Sequence, residues 1–153
     1  MITIKVLREA IAEIISRIPE INSVKEVSND DRFVNQLEDH KISDNALLVV
    51  VIPYYKGFGE IDQGGFYSHF QFFILNKIDY KTTQPEEIQE KLQPVAQDFL
   101  KCFFQYAQNE CKIFRNIDRD AVELLAVTNK GNCAGWEIQL TDKSHTGNDG
   151  RIG

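Results

Sequence analysis

ALLVVVI at residues 46–52 and FYSHFQFFILNKI at residues 66–78 are the stretches on which the fold turns. The first is an unbroken run of Leu and β-branched residues, bounded by Asp44-Asn45 on one side and Pro53 on the other. It is too short to cross a bilayer and predicts a strand covered on both faces, at the centre of a sheet. The second alternates, with Phe66, Phe70, Phe72, Ile74 and Ile78 on one side and Tyr67, His69, Gln71 and Lys77 on the other. That period of two is the signature of a strand with two distinct faces. Between them lies YYKGFGEIDQGG, rich in glycine, so the two runs predict a long antiparallel hairpin.

Helical periodicity flanks the hairpin on both sides. Before it, Ile4, Leu7, Ile11, Ile14, Ile15 and Ile18 recur at steps of three and four, with Lys5, Arg8, Glu9, Glu13 and Arg17 on the remaining face and Pro19 as the stop. After it, Ile88, Leu92, Val95, Phe99, Phe103 and Tyr106 form a second stripe that ends near Ala107. Thr83 and Glu86 have the spacing of a capping box at its start, and Pro94 removes one hydrogen bond inside it. Residues 20–45 are polar and uneven, a surface connection with one weak strand around Ile21, Val24 and Val27.

In the last third, residues 112–117 and 121–128 predict strands, with a short helix started by Asp120 as the other reading of the latter. A turn at 129–132 follows, then Trp136, Ile138 and Leu140 alternate with Glu137, Gln139 and Thr141. SHTGNDGRIG, residues 144–153, is polar and glycine-rich and predicts a flexible tail. The expected architecture is one α+β domain over residues 1–143. Its mixed, mainly antiparallel sheet carries a long hairpin and two helices packed on one face, in α-β-β-β-α-β-β order.

Composition narrows function by exclusion. A chain of 153 residues, 42% hydrophobic, with ten Phe, has the material for one core. Net charge of -6 gives a field that repels phosphate backbones, so nucleic acid is not an expected partner. Three cysteines, Cys102, Cys111 and Cys133, none in a C-x-x-C, suggest neither a disulfide framework nor a zinc site and fit a reducing, cytoplasmic setting. The opening MITIKVLREAIAEIISRI alternates charge with apolar residues and has the features of neither a signal peptide nor a membrane span.

No motif with catalytic spacing emerges. Glu38, Asp39 and His40 adjoin and offer metal-ligand chemistry, but solvated loop charges are the commoner meaning of such a run. His69 lies on the polar side of its strand, where a surface or interface role is expected. Cys102 reads as a core or boundary residue, Cys111 and Cys133 border strands, and His145 stands apart from any ligand partner. Asp118, Arg119 and Asp120 read as a turn, and Gly57, Gly59, Gly64 and Gly65 do not precede a helix as a phosphate loop requires. The expectation is a non-enzyme with no catalytic residue, metal or cofactor. Tyr54, Tyr55, Phe58 and Phe66 sit among those glycines, and aromatic rings on a loop mark a contact surface. The expected interface is the hairpin loop from Tyr55 to Gly65, with Tyr55 and Phe58 as anchors and Gly59, Gly64 and Gly65 shaping it.

The order of elements resembles the tail-terminator, or tail-completion, proteins of long-tailed phages and prophages. The segments that carry the resemblance are LREAIAEIISRIPEI, ALLVVVIPYY, FYSHFQFFILNKID, PEEIQEKLQPVAQDFLKCFF and GWEIQLTD, together spanning Ile2 to Asp142. The resemblance implies a cytoplasmic virion protein, neither enzyme nor cofactor binder, that forms a ring of identical copies. A hexamer is the expected count. The ring would cap the tail tube, stop its growth and meet the head-side connector. Pro94 inside a longer second helix and the polar tail depart from that pattern. Two other readings stand beside it: a small-molecule-binding or hydrolytic domain with a pocket lined by Phe70, Phe72, Phe99 and Trp136, and an accessory subunit docked on an unrelated protein.

Overall fold

A computed structural model describes residues 1–28, 30–60, 62–109, 114 and 116–145. Eight main elements follow in chain order: α1 (Ile4–Ile15), β1 (Ser23–Val27), α2 (Asp30–Glu38), β2 (Leu47–Phe58), β3 (Gly65–Lys77), α3 (Pro85–Asn109), β4 (Glu123–Lys130) and β5 (Cys133–His145). The strands form one five-stranded sheet in the order β1-β2-β3-β5-β4, parallel between β1 and β2 and antiparallel elsewhere. The α+β class and the mainly antiparallel sheet with its long hairpin are therefore as the sequence predicts.

The centre of the sheet is β3, not β2. β5 pairs along the whole of β3, from Gly65 opposite His145 to Lys77 opposite Cys133, and so places β3 between two long partners. Phe70, Phe72 and Ile74 enter the larger core with Leu48 and Val50 of β2, Leu7, Ile11 and Ile14 of α1, and Leu92, Phe99 and Phe103 of α3. Phe73 and Leu75, on the opposite side of β3, are buried as well. They belong to a second core with Leu47, Val49, Phe33 and Leu37.

That second core departs from the expected two-helix arrangement. Residues 30–38 form α2 rather than surface connection, and α2 lies on the face of the sheet away from α1 and α3. Phe33 and Leu37 are four residues apart and so face the sheet together, while Val34 stays 40% exposed. Two anchors in nine residues are too few to make a legible apolar stripe.

Boundaries moved for identifiable reasons. β2 does not stop at Pro53 but continues to Phe58, because a bulge between Val51 and Tyr54 accommodates a residue that has no N–H to give. α3 begins at Pro85, a favoured first helical position, with Glu86 and Glu87 in its first turn, so the capping position is Gln84 and not Thr83. In α1, Thr3 is the cap, its hydroxyl accepting from the Val6 N–H at 3.3 Å. The stretch 121–128 resolves into a short 3-10 turn, Arg119–Ala121, capped by Asp118, followed by β4. Of the strand expected at 112–117, residues 112, 113 and 115 lie outside the described residues, and Ile117 forms an isolated bridge with Asp142. β5 runs into the span expected as tail, pairing Ser144 with Phe66 and His145 with Gly65; residues 146–153 lie outside the described residues. Gly131 and Asn132, at φ 58° and 60°, make the two-residue turn between β4 and β5.

Candidate functional site

Apolar packing under α2 ends at Val51. Beyond it, the sheet face on that side carries no helix among the described residues, and the bulge decides which side chains occupy it. Pairing passes from Val51 opposite Gln71 to Tyr54 opposite His69, so one extra residue on β2 puts Tyr54 on the open face and turns Tyr55 toward α1. Tyr54 stacks on His69 with ring centres 4.4 Å apart and planes 20° apart. His69 lies 6.0 Å from Tyr67, Tyr67 lies 4.8 Å from Phe58, and the Lys143 ammonium sits 4.6 Å over Phe58 and 5.5 Å over Tyr67. The result is a row of rings crossing β2 and β3, with a cation at its outer end. Tyr54 is 64% exposed.

A polar rim borders the row on β5. Glu137 accepts from the Gln71 amide at 3.3 Å and from the Gln139 amide at 2.7 Å, and the Thr141 hydroxyl lies 3.0 Å from His69 Nδ1. These bonds fix side chains that otherwise would be free on an open sheet face. Burial, and then the charge of Lys56, hold the His69 imidazole below its usual pKa, so the ring in the stack is neutral at physiological pH. A cavity of about 220 Å³ opens beside the row, bounded by Val51, Ile52, Tyr54, Gln71, Gln139 and Thr141. An arrangement of half-buried rings with a hydrogen-bonded rim is suited to covering by a flat apolar surface.

The expected interface residues are distributed differently from the sequence expectation. Tyr55 is not in a loop: it lies in β2, half-buried, and its hydroxyl donates to the Ile2 carbonyl at 2.6 Å. Ile2 in turn donates its N–H to Ser68 Oγ at 3.1 Å, so Tyr55 ties down the approach to α1. Burial raises the Tyr55 hydroxyl pKa. Phe58 belongs to the row. Gly65 pairs with Phe58 at the root of the hairpin, and the true loop is only residues 59–64. Gly59, at φ +76°, and Gly64 pinch it: a Cβ on Gly59 would fall 2.9 Å from Gly64 Cα, and one on Gly64 would fall 2.7 Å from two carbonyl oxygens. His69, expected on the polar side of its strand in a surface or interface role, lies in the row; Tyr67 and Lys143 are the members that the sequence expectation did not place there, although Tyr67 shares the parity of His69 against Phe66 and Phe70.

The other candidates separate. His40 is buried, its Nε2 3.0 Å from Asn45 Oδ1, with desolvation lowering its pKa, whereas Glu38 and Asp39 are exposed. Among the described residues no three His, Cys, Asp or Glu side chains converge as metal ligands. Cys133 is fully buried and its thiol is pushed up to about 11 by burial; Cys102 is half-buried, and Cys111 lies outside the described residues. Asp118 accepts from the Asp120 N–H at 3.0 Å and serves the turn. Among the described residues no helix is long and apolar enough to cross a membrane.

No protein-family model matches this sequence, and no curated protein matches it.

Proposed function

We propose that this chain is a structural assembly protein of the tail-terminator kind, a subunit of a closed homomeric ring that caps a tail tube and joins it to the head-side connector. Its partners are copies of itself, the tube and the connector, and it acts in the cytoplasm without cofactor or catalysis. The observation that carries the proposal is the aromatic row. Tyr54, Tyr67 and Phe58 expose ring surface on a rigid sheet, and rings held in that way supply most of the energy of protein contacts. A contact of this row with a different surface of the neighbour is heterologous, the kind that closes into rings.

The pocket-based reading has less support. Phe70, Phe72 and Phe99 are fully buried, with Phe72 and Phe99 centred 5.1 Å apart, and the Trp136 indole donates to the Gln89 carbonyl at 2.8 Å. These groups fill the space between the sheet and α3 rather than line it.

The test is sedimentation velocity over a wide concentration range, with and without tail tubes. Wild-type protein is expected to form one discrete closed species at high concentration or on tube ends. Tyr54→Ser with Phe58→Ser should weaken that association at least about tenfold while leaving the melting temperature nearly unchanged, as expected for interface anchors. A wild-type chain that neither associates nor caps tubes would refute the ring.

A further inference from the structure

The two ends of the β2–β3 ribbon differ in charge. At one end, the turn after β2 carries Glu60 and Asp62, both exposed, and is held by the Gln63 N–H donating to the Glu60 carbonyl at 3.1 Å and by the glycine pinch below it. Among the described residues neither carboxylate forms a salt bridge. At the other end, beyond Lys77, an open groove of about 610 Å³ is bordered by His40, Lys41, Ile42, Lys77, Tyr80 and Lys81. Ile42 is 62% exposed and Tyr80 36% exposed, so the groove offers accessible apolar surface among its cations. Lys77 is fixed in place by the Leu37 and Gly131 carbonyls at 3.2 and 3.4 Å, and Tyr80 by donating to the Thr128 carbonyl at 2.6 Å. Three lysines border this groove against one aspartate, Asp79, whose carboxylate already accepts from the Lys81 N–H at 3.0 Å.

We infer that the hairpin tip of one copy seats in this groove of the next, with Glu60 and Asp62 against Lys41 and Lys81. The partner is a second copy of this chain, and the argument for it is complementarity of charge between the carboxylates Glu60 and Asp62 and the lysines at the opposite end of the same molecule. With 12 residues in β2 and 13 in β3, the ribbon spans about 40 Å. Tip and groove therefore lie at opposite ends, and one copy cannot satisfy itself. A head-to-tail contact results, which closes into a ring when the rotation allows it. Lys77 and Tyr80, held by backbone carbonyls, keep that wall of the groove ordered before docking. The contact deepens the ring proposal and rests on it, but uses residues outside the aromatic row.

Two surface variants test it: Glu60→Ser with Asp62→Ser, which lacks the tip, and Lys41→Ser with Lys81→Ser, which lacks the groove. All four side chains are exposed, so both proteins should fold with wild-type melting temperatures. Each alone should associate at least about tenfold more weakly than wild type in sedimentation velocity, an effect that shrinks as salt screens the charges. Mixed together they retain one competent tip and one competent groove, so the one-to-one mixture should associate more strongly than either variant alone at the same total concentration. Wild-type assembly with either variant assembling equally well would overturn the tip-and-groove contact and leave the ring standing. Wild-type protein that is monomeric throughout and does not cap tubes would overturn both.

Discussion

Asp142 and His40 are both buried, yet acid acts on them in opposite directions. Asp142 accepts from the Asn116 N–H at 3.2 Å and from the Ser144 hydroxyl, with the Met1 amino group as its neighbouring charge; burial outweighs all three and raises its pKa. The native state therefore holds this proton more tightly than the unfolded chain. Its stabilising effect is full below the unfolded pKa, about 4, and is lost as pH rises through the raised native value. For His40, desolvation lowers the pKa, so the stability it contributes is full above about pH 6.5 and is lost as pH falls toward the lowered native value. We expect His40→Gln to flatten the loss of stability below about pH 6.5 and Asp142→Asn to flatten the loss above about pH 4, both read by urea denaturation at stepped pH. A His40→Gln protein that keeps the wild-type slope just below about pH 6.5 would refute the assignment. Gly135 makes a different demand: it sits at φ +152° and a Cβ there would lie 2.0 Å from the Ile74 carbonyl oxygen. Gly135→Ala should cost about 3 kcal/mol in the same measurement.

Among the elements, those written by long periodic runs were legible and those set by a single offset were not. Ile4, Leu7, Ile11, Ile14 and Ile15 of α1, the stripe of α3 and the alternation of β3 each repeat often enough to outvote their exceptions. α2 has two anchors, Phe33 and Leu37, and its position became apparent only when Phe73 and Leu75 proved to need covering on the second face of β3. The bulge is harder still to read. One residue inserted near Pro53 reverses the parity of everything after it, which is why Tyr54 rather than Tyr55 stands on the open face. The site was thus half legible: the aromatic-rich stretch and Phe58 could be found from composition, whereas the stack with His69 required the register. Tyr55→Phe follows from that correction. It removes the bond to the Ile2 carbonyl and should lower stability by about 1 kcal/mol without weakening assembly. Weakened assembly at unchanged stability would return Tyr55 to the interface.

Across the whole molecule, one sheet carries two cores of unequal depth. On one face α1 and α3 cover β2, β3 and β5 with a continuous apolar cluster in which Phe72 and Phe103 each meet Phe70 and Phe99. On the other, α2 offers Phe33 and Leu37 to a small cluster, and the face beyond Val51 is left to the aromatic row. A nine-residue helix is too short to be stable alone, so α2 persists only through that docking. Its opening uncovers only the smaller of the two clusters and leaves the strands paired. We therefore expect α2 to open locally, with its backbone amides exchanging with deuterium well before those of β3 and α3, which should exchange only on global unfolding. Phe33→Ala should cost no more than the docking free energy of α2, because beyond that the helix simply detaches. Phe103→Ala, in the deeper core, has no such ceiling and should cost about 3 to 5 kcal/mol. The paired measurement separates the cases: exchange of α2 and β3 amides at one common rate, in wild type and in Phe33→Ala alike, would mean that the sheet and its small cover fold as a single unit. Because His40, Lys41 and Ile42 follow directly on α2, its opening would also remodel the groove at that end, so the same variant should associate more weakly than its loss of stability alone accounts for.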